Sequence, residues 1–183
     1  MLKPILLKIS PIAALWTSMT LLANWPTHVK PFAHVVLSPK DGKASGTVDF
    51  AKSSDGLMVR AYLTHLTPGK HGFHIHEKGD CSAKDASSAG DHYNPTHAKH
   101  GDPSHTERHV GDFGNIVADS KGSATVEVTL KNPDSKEFKN WDDILGKSII
   151  LHEKEDDLNS QPAGNSGKRI ACGVIQALPA VNP

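Results

Sequence analysis

The chain has 183 residues, in which 20 basic side chains balance 20 acidic ones. This length suits a single domain with its own core, and the balanced charge gives no indication of a nucleic-acid partner. Aromatic residues make up only 5% of the chain, whereas glycine and proline number 15 and 12. This composition favours a loop-rich β protein over a helical bundle.

The first 23 residues are predicted to be a secretory signal peptide. Lys3 and Lys8 give a basic start, and the apolar run at 12–23 is too short to span a bilayer. Cleavage near Ala23 would leave residues 24–183 as the mature domain of an exported, periplasmic protein without a membrane attachment. The same residues also allow two alternatives, an uncleaved membrane anchor and a buried first helix.

The rest of the chain alternates short strands with turn sequences rich in Gly, Pro, Asp and Ser. Period-two alternation and short apolar runs predict eight strands. They lie at 32–38, 45–50, 57–66, 71–77, 112–118, 124–130, 148–153 and 169–176. We therefore predict an all-β fold, an eight-stranded antiparallel sandwich or flattened barrel.

Two segments, 78–111 and 154–168, show no strand pattern. Loops as long as the first are usually functional or disordered in a compact domain. Because the first segment is rich in His and Asp, we predict that bound metal orders it. Both segments are therefore predicted to be functional loops.

Seven side chains of the metal-ligand type stand at suggestive spacings: His74, His76, His92, His100, His109, Asp112 and His152. His74 and His76 are two residues apart on a strand, so both rings project from the same face. The four side chains from 92 to 112 suit a tetrahedral zinc site closed to water. His152, on another strand, could complete the first set. The first metal then either keeps an open position or shares a ligand, and spacing does not decide which.

Cys81 and Cys172 are the only cysteines, and an oxidising compartment would let them form a disulfide. On the chain-entropy model, closing the loop between them would contribute about 4–5 kcal/mol. Two buried free thiols are the alternative.

Two stretches resemble the signature sequences of the copper–zinc superoxide dismutase family: GFHIHEKGDC at 72–81 and GNSGKRIACGVI at 164–175. Between them, the ligand spacing over 92–112 is similar to that of the family's zinc loop. Residues 148–153 resemble its last copper-ligand strand. The resemblance covers about residues 32–176 and implies a Greek-key β-sandwich.

The resemblance also implies a role for each candidate residue. The implied copper ligands are His74, His76, His92 and His152. The implied zinc ligands are His92, His100, His109 and Asp112. His92 would bridge both metals as an imidazolate, and Asp156 would hydrogen-bond a copper ligand and a zinc ligand together. Cys81 and Cys172 match the family's disulfide, and Arg169 matches the arginine beside the open copper position.

The implied activity is the dismutation of superoxide, with one copper and one zinc per subunit. Copper would be alternately reduced and reoxidised, and Arg169 and His92 would be the catalytic residues. Arg169 keeps its charge at any relevant pH and can hydrogen-bond an anion. A homodimer is a candidate assembly. Two alternatives are a copper and zinc storage or delivery protein without fast turnover, and a zinc-only hydrolase or structural domain.

Segment 154–168 is shorter than the electrostatic loop of the animal enzymes and lacks its charged guiding cluster. The stretch SQPAGN at 160–165 instead resembles bacterial, periplasmic members. Lys154, Lys168 and Arg108 are the cations that we expect to be available for steering anions.

Several further polar residues receive simpler interpretations. Asp91 is expected to be a solvated turn residue, although it immediately precedes the bridging histidine. His71 is expected to pack or to form hydrogen bonds. The other histidines are expected to lie outside the metal sites: His28, His34, His65, His97 and His105.

Overall fold

The computed structural model describes residues 29–132 and 138–179. The predicted signal peptide at 1–23 and His28 lie outside this part of the chain. Within the part that is described, no helix has the length and apolar character needed to cross a membrane.

The secondary structure consists almost entirely of strands. They are β1 (Pro31–Pro39), β2 (Ser45–Ser53), β3 (Gly56–Thr64), β4 (Gly69–His76), β5 (Asp112–Ala118), β6 (Ala124–Leu130), β7 (Ser148–His152), β8 (Arg169–Val174) and β9 (Gln176–Ala177). Two short 3₁₀ helices, Ser87–Ala89 and Trp141–Ile144, lie in the connections. The predicted all-β class is therefore confirmed.

The predicted bounds of β5 and β6 match the structure, whereas those of the other strands differ by one to three residues. Two of these differences have a visible cause. The strand predicted at 57–66 ends at Thr64, because His65 adopts a left-handed conformation with φ of 63°. The strand predicted at 169–176 is divided, since β8 pairs with β7 while the short β9 pairs with β1.

The strands form a nearly closed antiparallel barrel in the order β5-β4-β7-β8-β1-β2-β3-β6. The neighbours β3–β6 and β4–β7 are not consecutive in sequence, which is the mark of a Greek-key arrangement. The two end strands, β5 and β6, contact each other. The barrel thus has little exposed edge.

Strand alternation separates an apolar core from the candidate site. On β4, Phe73 and Ile75 point into the core, whereas His74 and His76 occupy the alternate positions. The ring of Phe113 on β5 lies 6.0 Å from that of Phe73 and 6.4 Å from that of Phe50 on β2. Burial of each such side chain stabilises the fold by about 1.5–3 kcal/mol. The core thereby fixes the strand that carries the first two histidines.

The two long connections lie over one side of the barrel and are tied to it. Cys81 and Cys172 form the disulfide that the sequence predicted, joining the 78–111 segment to β8. The same segment pairs with the end of β4 through His76 and His92. The second connection, between β7 and β8, hydrogen-bonds back to β4, where Gly72 N donates to Lys154 O.

Candidate metal centre

A first cluster is formed by His74, His76, His92 and His152. The ends of β4 and β7 supply three of these rings, and the loop supplies His92. All four residues are buried, and their candidate ligand atoms lie within 4.8 Å of one another. The structure therefore brings together all the residues that the sequence predicted as copper ligands.

One nitrogen on each of these rings has no hydrogen-bond partner. These atoms are His74 Nδ1, His76 Nε2, His92 Nε2 and His152 Nε2. A buried polar atom without a partner costs about 1–3 kcal/mol. Four such atoms converging on one point are explained by a bound metal ion, so this cluster fits copper.

The second nitrogen of each strand histidine is held by a hydrogen bond. His76 Nδ1 donates to Gly90 O at 2.8 Å, and His152 Nδ1 donates to Gly167 O at 3.3 Å. His74 Nε2 donates to Asp156 Oδ2 at 2.7 Å. Because these acceptors require an N–H group, the opposite nitrogen of each neutral ring is left as a metal ligand.

A second cluster is formed by His92, His100, His109 and Asp112. Asp112 Oδ1 lies 2.8 Å from His92 Nδ1, 2.9 Å from His100 Nδ1 and 3.2 Å from His109 Nδ1. Ligands of a tetrahedral zinc with bonds of about 2.0–2.1 Å are separated by roughly 3.3 Å. The packing of these four atoms therefore fits zinc.

His92 belongs to both clusters, with Nδ1 in the second and Nε2 in the first. This arrangement answers the question that spacing left open, because the first cluster gains its fourth nitrogen by sharing a ring.

Two carboxylates fix the geometry of the second cluster. Asp112 Oδ2 accepts hydrogen bonds from the main-chain N–H groups of Gly101 and His109, both at 3.0 Å. Asp156 joins the two clusters, since its Oδ1 lies 2.9 Å from His100 Nε2 while its Oδ2 accepts from His74. Asp156 is thus placed where the resemblance implied.

Burial and nearby charge set opposite pKa directions in the two clusters. Burial lowers the pKa of His92 to about 4 and lowers those of His76 and His152 strongly, which keeps the rings neutral. Burial also opposes the charged form of His100, but Asp112 and Asp156 outweigh it and raise its pKa to about 9. Zinc binding at His100 Nδ1 would therefore displace a proton.

A cavity of about 340 Å³ opens over the first cluster. His76, His92 and His152 line it, together with Arg169 and Asp91. Arg169 is partly exposed, and its Nη1 donates to Ala86 O at 2.8 Å. Asp91 is exposed, as a solvated turn residue should be, and its side chain also lines the cavity.

One expected steering residue is placed differently. Arg108 is only 1% exposed and donates hydrogen bonds to the carbonyls of Pro103, His109 and Lys131. It cannot meet an anion arriving from solvent, because its donors are occupied inside the protein. Lys154 and Lys168 are exposed, and their part in steering anions stays a prediction.

The remaining histidines agree with their simpler interpretations. His34, His65, His97 and His105 belong to neither cluster. His71 is buried, with Nδ1 2.8 Å from His152 O and Nε2 2.8 Å from Thr67 O.

Some functional groups could not be identified from the sequence. The carbonyls of Gly90 and Gly167, which orient two of the rings, are main-chain atoms and carry no side-chain signal. The sequence also did not indicate why residue 164 is a glycine. A Cβ atom at Gly164 would lie 1.8 Å from Asp156 Oδ1. Only a residue without a side chain fits at that position.

A nearly closed Greek-key barrel with two histidine clusters that share one ring defines a β protein suited to binding copper and zinc. The family model for copper/zinc superoxide dismutase matches residues 44–175. The chain therefore belongs to the copper/zinc superoxide dismutase family.

The relatives that are similar to this chain include copper chaperones as well as superoxide dismutases. The chain is 42% identical over 150 residues to the copper chaperone for superoxide dismutase of Rattus norvegicus, covering 78% of this chain and 52% of that protein. It is 37% identical over 152 residues to the extracellular superoxide dismutase [Cu-Zn] of Brugia pahangi, covering 78% of this chain and 74% of that protein. The chain thus spans about half the length of its chaperone relatives.

A solved structure, the clock protein EA4, has the same fold. It aligns with a TM-score of 0.69 and 38% sequence identity, covering 81% of this chain and 96% of that one. These relatives do not test the predicted bacterial, periplasmic type, which stays a prediction.

Proposed function

We propose that this protein is an exported superoxide dismutase that holds one copper and one zinc. Copper would be bound by His74, His76, His92 and His152. Zinc would be bound by His92, His100, His109 and Asp112. The observation that carries the proposal is the cavity, which three of the four histidines of the first cluster line together with Arg169.

Bound copper would supply a one-electron couple, through which two superoxide anions and two protons give one dioxygen and one hydrogen peroxide. The chain's own residues would bind the anion and manage the protons. Arg169 provides a permanent positive charge and a planar set of donors in the wall of the cavity. It is therefore the group that would attract and orient superoxide.

His92 is the residue that would hold and release a proton within the site. Its Nδ1 is directed at Asp112, so Nε2 is the atom available on the cavity side. Because His92 lines the cavity, its Nε2 would be the atom that gives a proton to an anionic product there.

The second cluster supports a structural zinc and not a hydrolytic one. A hydrolase needs an open zinc position with a general base beside it. Here four protein atoms suffice for a tetrahedral ion, and all four residues are buried.

Copper storage or delivery is the second candidate function, because relatives at 42% identity are named copper chaperones. Those proteins are about twice as long as the matched region, so the match covers only part of them. Arg169 in the cavity favours turnover, since a store has no need of an anion-binding arginine.

Export is supported by the disulfide and by relatives named extracellular superoxide dismutases. The signal peptide at 1–23, the mature domain at 24–183, the periplasmic location and a homodimer remain parts of the proposal.

The test is superoxide decay after pulse radiolysis, using mature protein loaded with copper and zinc. Superoxide dismutases are among the enzymes that approach the diffusional ceiling of about 10⁹ M⁻¹s⁻¹. A second-order rate constant of that order would support the enzyme. A rate no higher than that of protein loaded with zinc alone would favour storage or delivery.

A further inference from the structure

The side-chain amide of Gln161 forms a pair of hydrogen bonds with the main chain of His100. His100 N donates to Gln161 Oε1 at 2.9 Å, and Gln161 Nε2 donates to His100 O, also at 2.9 Å. The two residues are 61 positions apart, on different loops. The amide thus closes a ring that joins the 154–168 segment to the 78–111 segment.

These two bonds fix a part of the chain that no strand supports. Within residues 29–132 and 138–179, no other hydrogen bond reaches the main-chain N–H or C=O of His100. The ring of His100 is held separately, by Asp112 at Nδ1 and by Asp156 at Nε2. Gln161 therefore bonds both main-chain groups of His100 itself, while the neighbouring Gly101 N donates to Asp112 Oδ2.

The same loop also lies close to the ring. A Cβ atom on Gly164 would lie 2.7 Å from His100 Nε2, so the loop main chain passes close to that edge of the imidazole. Gln161 and Gly164 accordingly lie against the main chain and the ring edge of His100.

We propose that Gln161 is a positioning residue for the zinc site. Its amide sets the main chain of His100 so that Nδ1 points at the other members of the second cluster. The short 154–168 segment thereby controls how firmly zinc is retained. The inference rests on the proposed zinc ligands, and it gives a function to the SQPAGN stretch at 160–165.

The experiment compares zinc release from the loaded wild-type protein and from three variants. Gln161→Ala removes both hydrogen bonds to His100, together with the bond from Gln161 Nε2 to Asn159 O at 3.1 Å within the loop. Gln161→Glu keeps the acceptor for His100 N but loses the donor to both carbonyls. Asn165→Ala is the matched control, because this amide lies in the same loop and bonds only Asp157, at 3.2 Å. Release is followed with a coloured chelator well below the unfolding temperature.

We expect zinc release from Gln161→Ala to be about 10–100-fold faster than from wild type, because removing groups that orient metal ligands lowers metal affinity by that factor. Gln161→Glu should lie between the two, and Asn165→Ala should match wild type. Cobalt placed in the zinc site should show altered visible absorption bands in Gln161→Ala, which reports on ligand geometry.

Two outcomes would overturn the proposal. One is equal release rates in Gln161→Ala and wild type. The other is an equal acceleration in Asn165→Ala, accompanied by matching falls in the melting temperatures of the metal-free proteins, which would indicate general loosening of the loop. A wild-type protein that binds no zinc would instead refute the proposed function itself.

Discussion

Arg169 donates a hydrogen bond from Nη1 to the main-chain carbonyl of Ala86, 2.8 Å away. Ala86 is buried in a small cluster with Ile150 and Cys172, and Cys81 packs against the same cluster. The position of the proposed anion-binding guanidinium therefore depends on a loop that the disulfide fastens to the barrel.

Removing the disulfide should weaken both the fold and the site. For Cys81→Ser combined with Cys172→Ser, we expect a loss of about 2–5 kcal/mol in the free energy of unfolding. Urea titration of the metal-loaded protein measures this loss. Because Ala86 would no longer be fixed, turnover should fall further than copper content does. Unchanged stability and turnover would show that loop packing alone holds Arg169.

Replacing Arg169 by Gln should lower turnover roughly tenfold or more, because a positive charge is lost from the cavity wall. The decrease of turnover with added salt should also become smaller. Metal content should stay constant, since Arg169 is not a ligand. Pulse radiolysis at several ionic strengths, with metal analysis of each sample, measures both effects. Lys121→Gln, at the exposed turn between β5 and β6, is the control for the loss of one cation. Unchanged turnover in Arg169→Gln would remove Arg169 from the mechanism.

Asp91 should slow the entry of superoxide. Its carboxylate lines the cavity with Arg169, and across residues 29–132 and 138–179 it makes no side-chain hydrogen bond or ion pair. Asp91→Asn should therefore raise the second-order rate constant about two- to fivefold at low salt, with a smaller gain as salt screens the charge.

The matched control for Asp91→Asn is Asp55→Asn, at an exposed turn between β2 and β3. A gain in both variants would indicate only a change in net charge. A lower rate in Asp91→Asn would mean that the carboxylate assists the reaction and does not hinder it.

The strands and the candidate ligands were predictable because both depend on local sequence. Leu57, Val59 and Leu63 alternate along β3, and all are buried. His74 and His76 likewise share one face of β4, because they are two residues apart on a strand. Sharing of His92 was not predictable from spacing, because it depends on which of its ring nitrogens faces each cluster.

Contacts between distant loops also could not be predicted from the sequence. The hydrogen bonds between Gln161 and His100 depend on the paths of two irregular segments, which no periodicity encodes. Arg108 was expected at the surface because it is charged, yet main-chain carbonyls satisfy it in the interior: those of Pro103 and His109, nearby in sequence, and that of Lys131. Main-chain groups are available everywhere, so sequence does not indicate where they will meet a cation.

The metal-free protein should lose stability as pH falls from about 6.5 to about 4. Burial lowers the pKa of His92 from its ordinary value of 6.5 to about 4. Between these values the unfolded chain binds more protons at this ring than the folded chain does, so the free energy of unfolding decreases on acidification. The pKa shift of His92 alone corresponds to a loss of about 3 kcal/mol in the free energy of unfolding. The lowered pKa values of His74, His76 and His152 act in the same direction.

The shifted pKa of His100 has the opposite effect on the free energy of unfolding, at higher pH. Its pKa is raised to about 9, so its contribution to stability is complete below 6.5 and is lost as pH rises through 9. The free energy of unfolding of the metal-free protein should therefore peak near pH 6.5, as measured by urea titration from pH 4 to 9. In His92→Gln the acid limb should be shallower, whereas His105→Gln, at an exposed position outside both clusters, should leave it unchanged. An acid limb equally steep in His92→Gln would mean that carboxylate protonation, and not the buried imidazole, governs the loss.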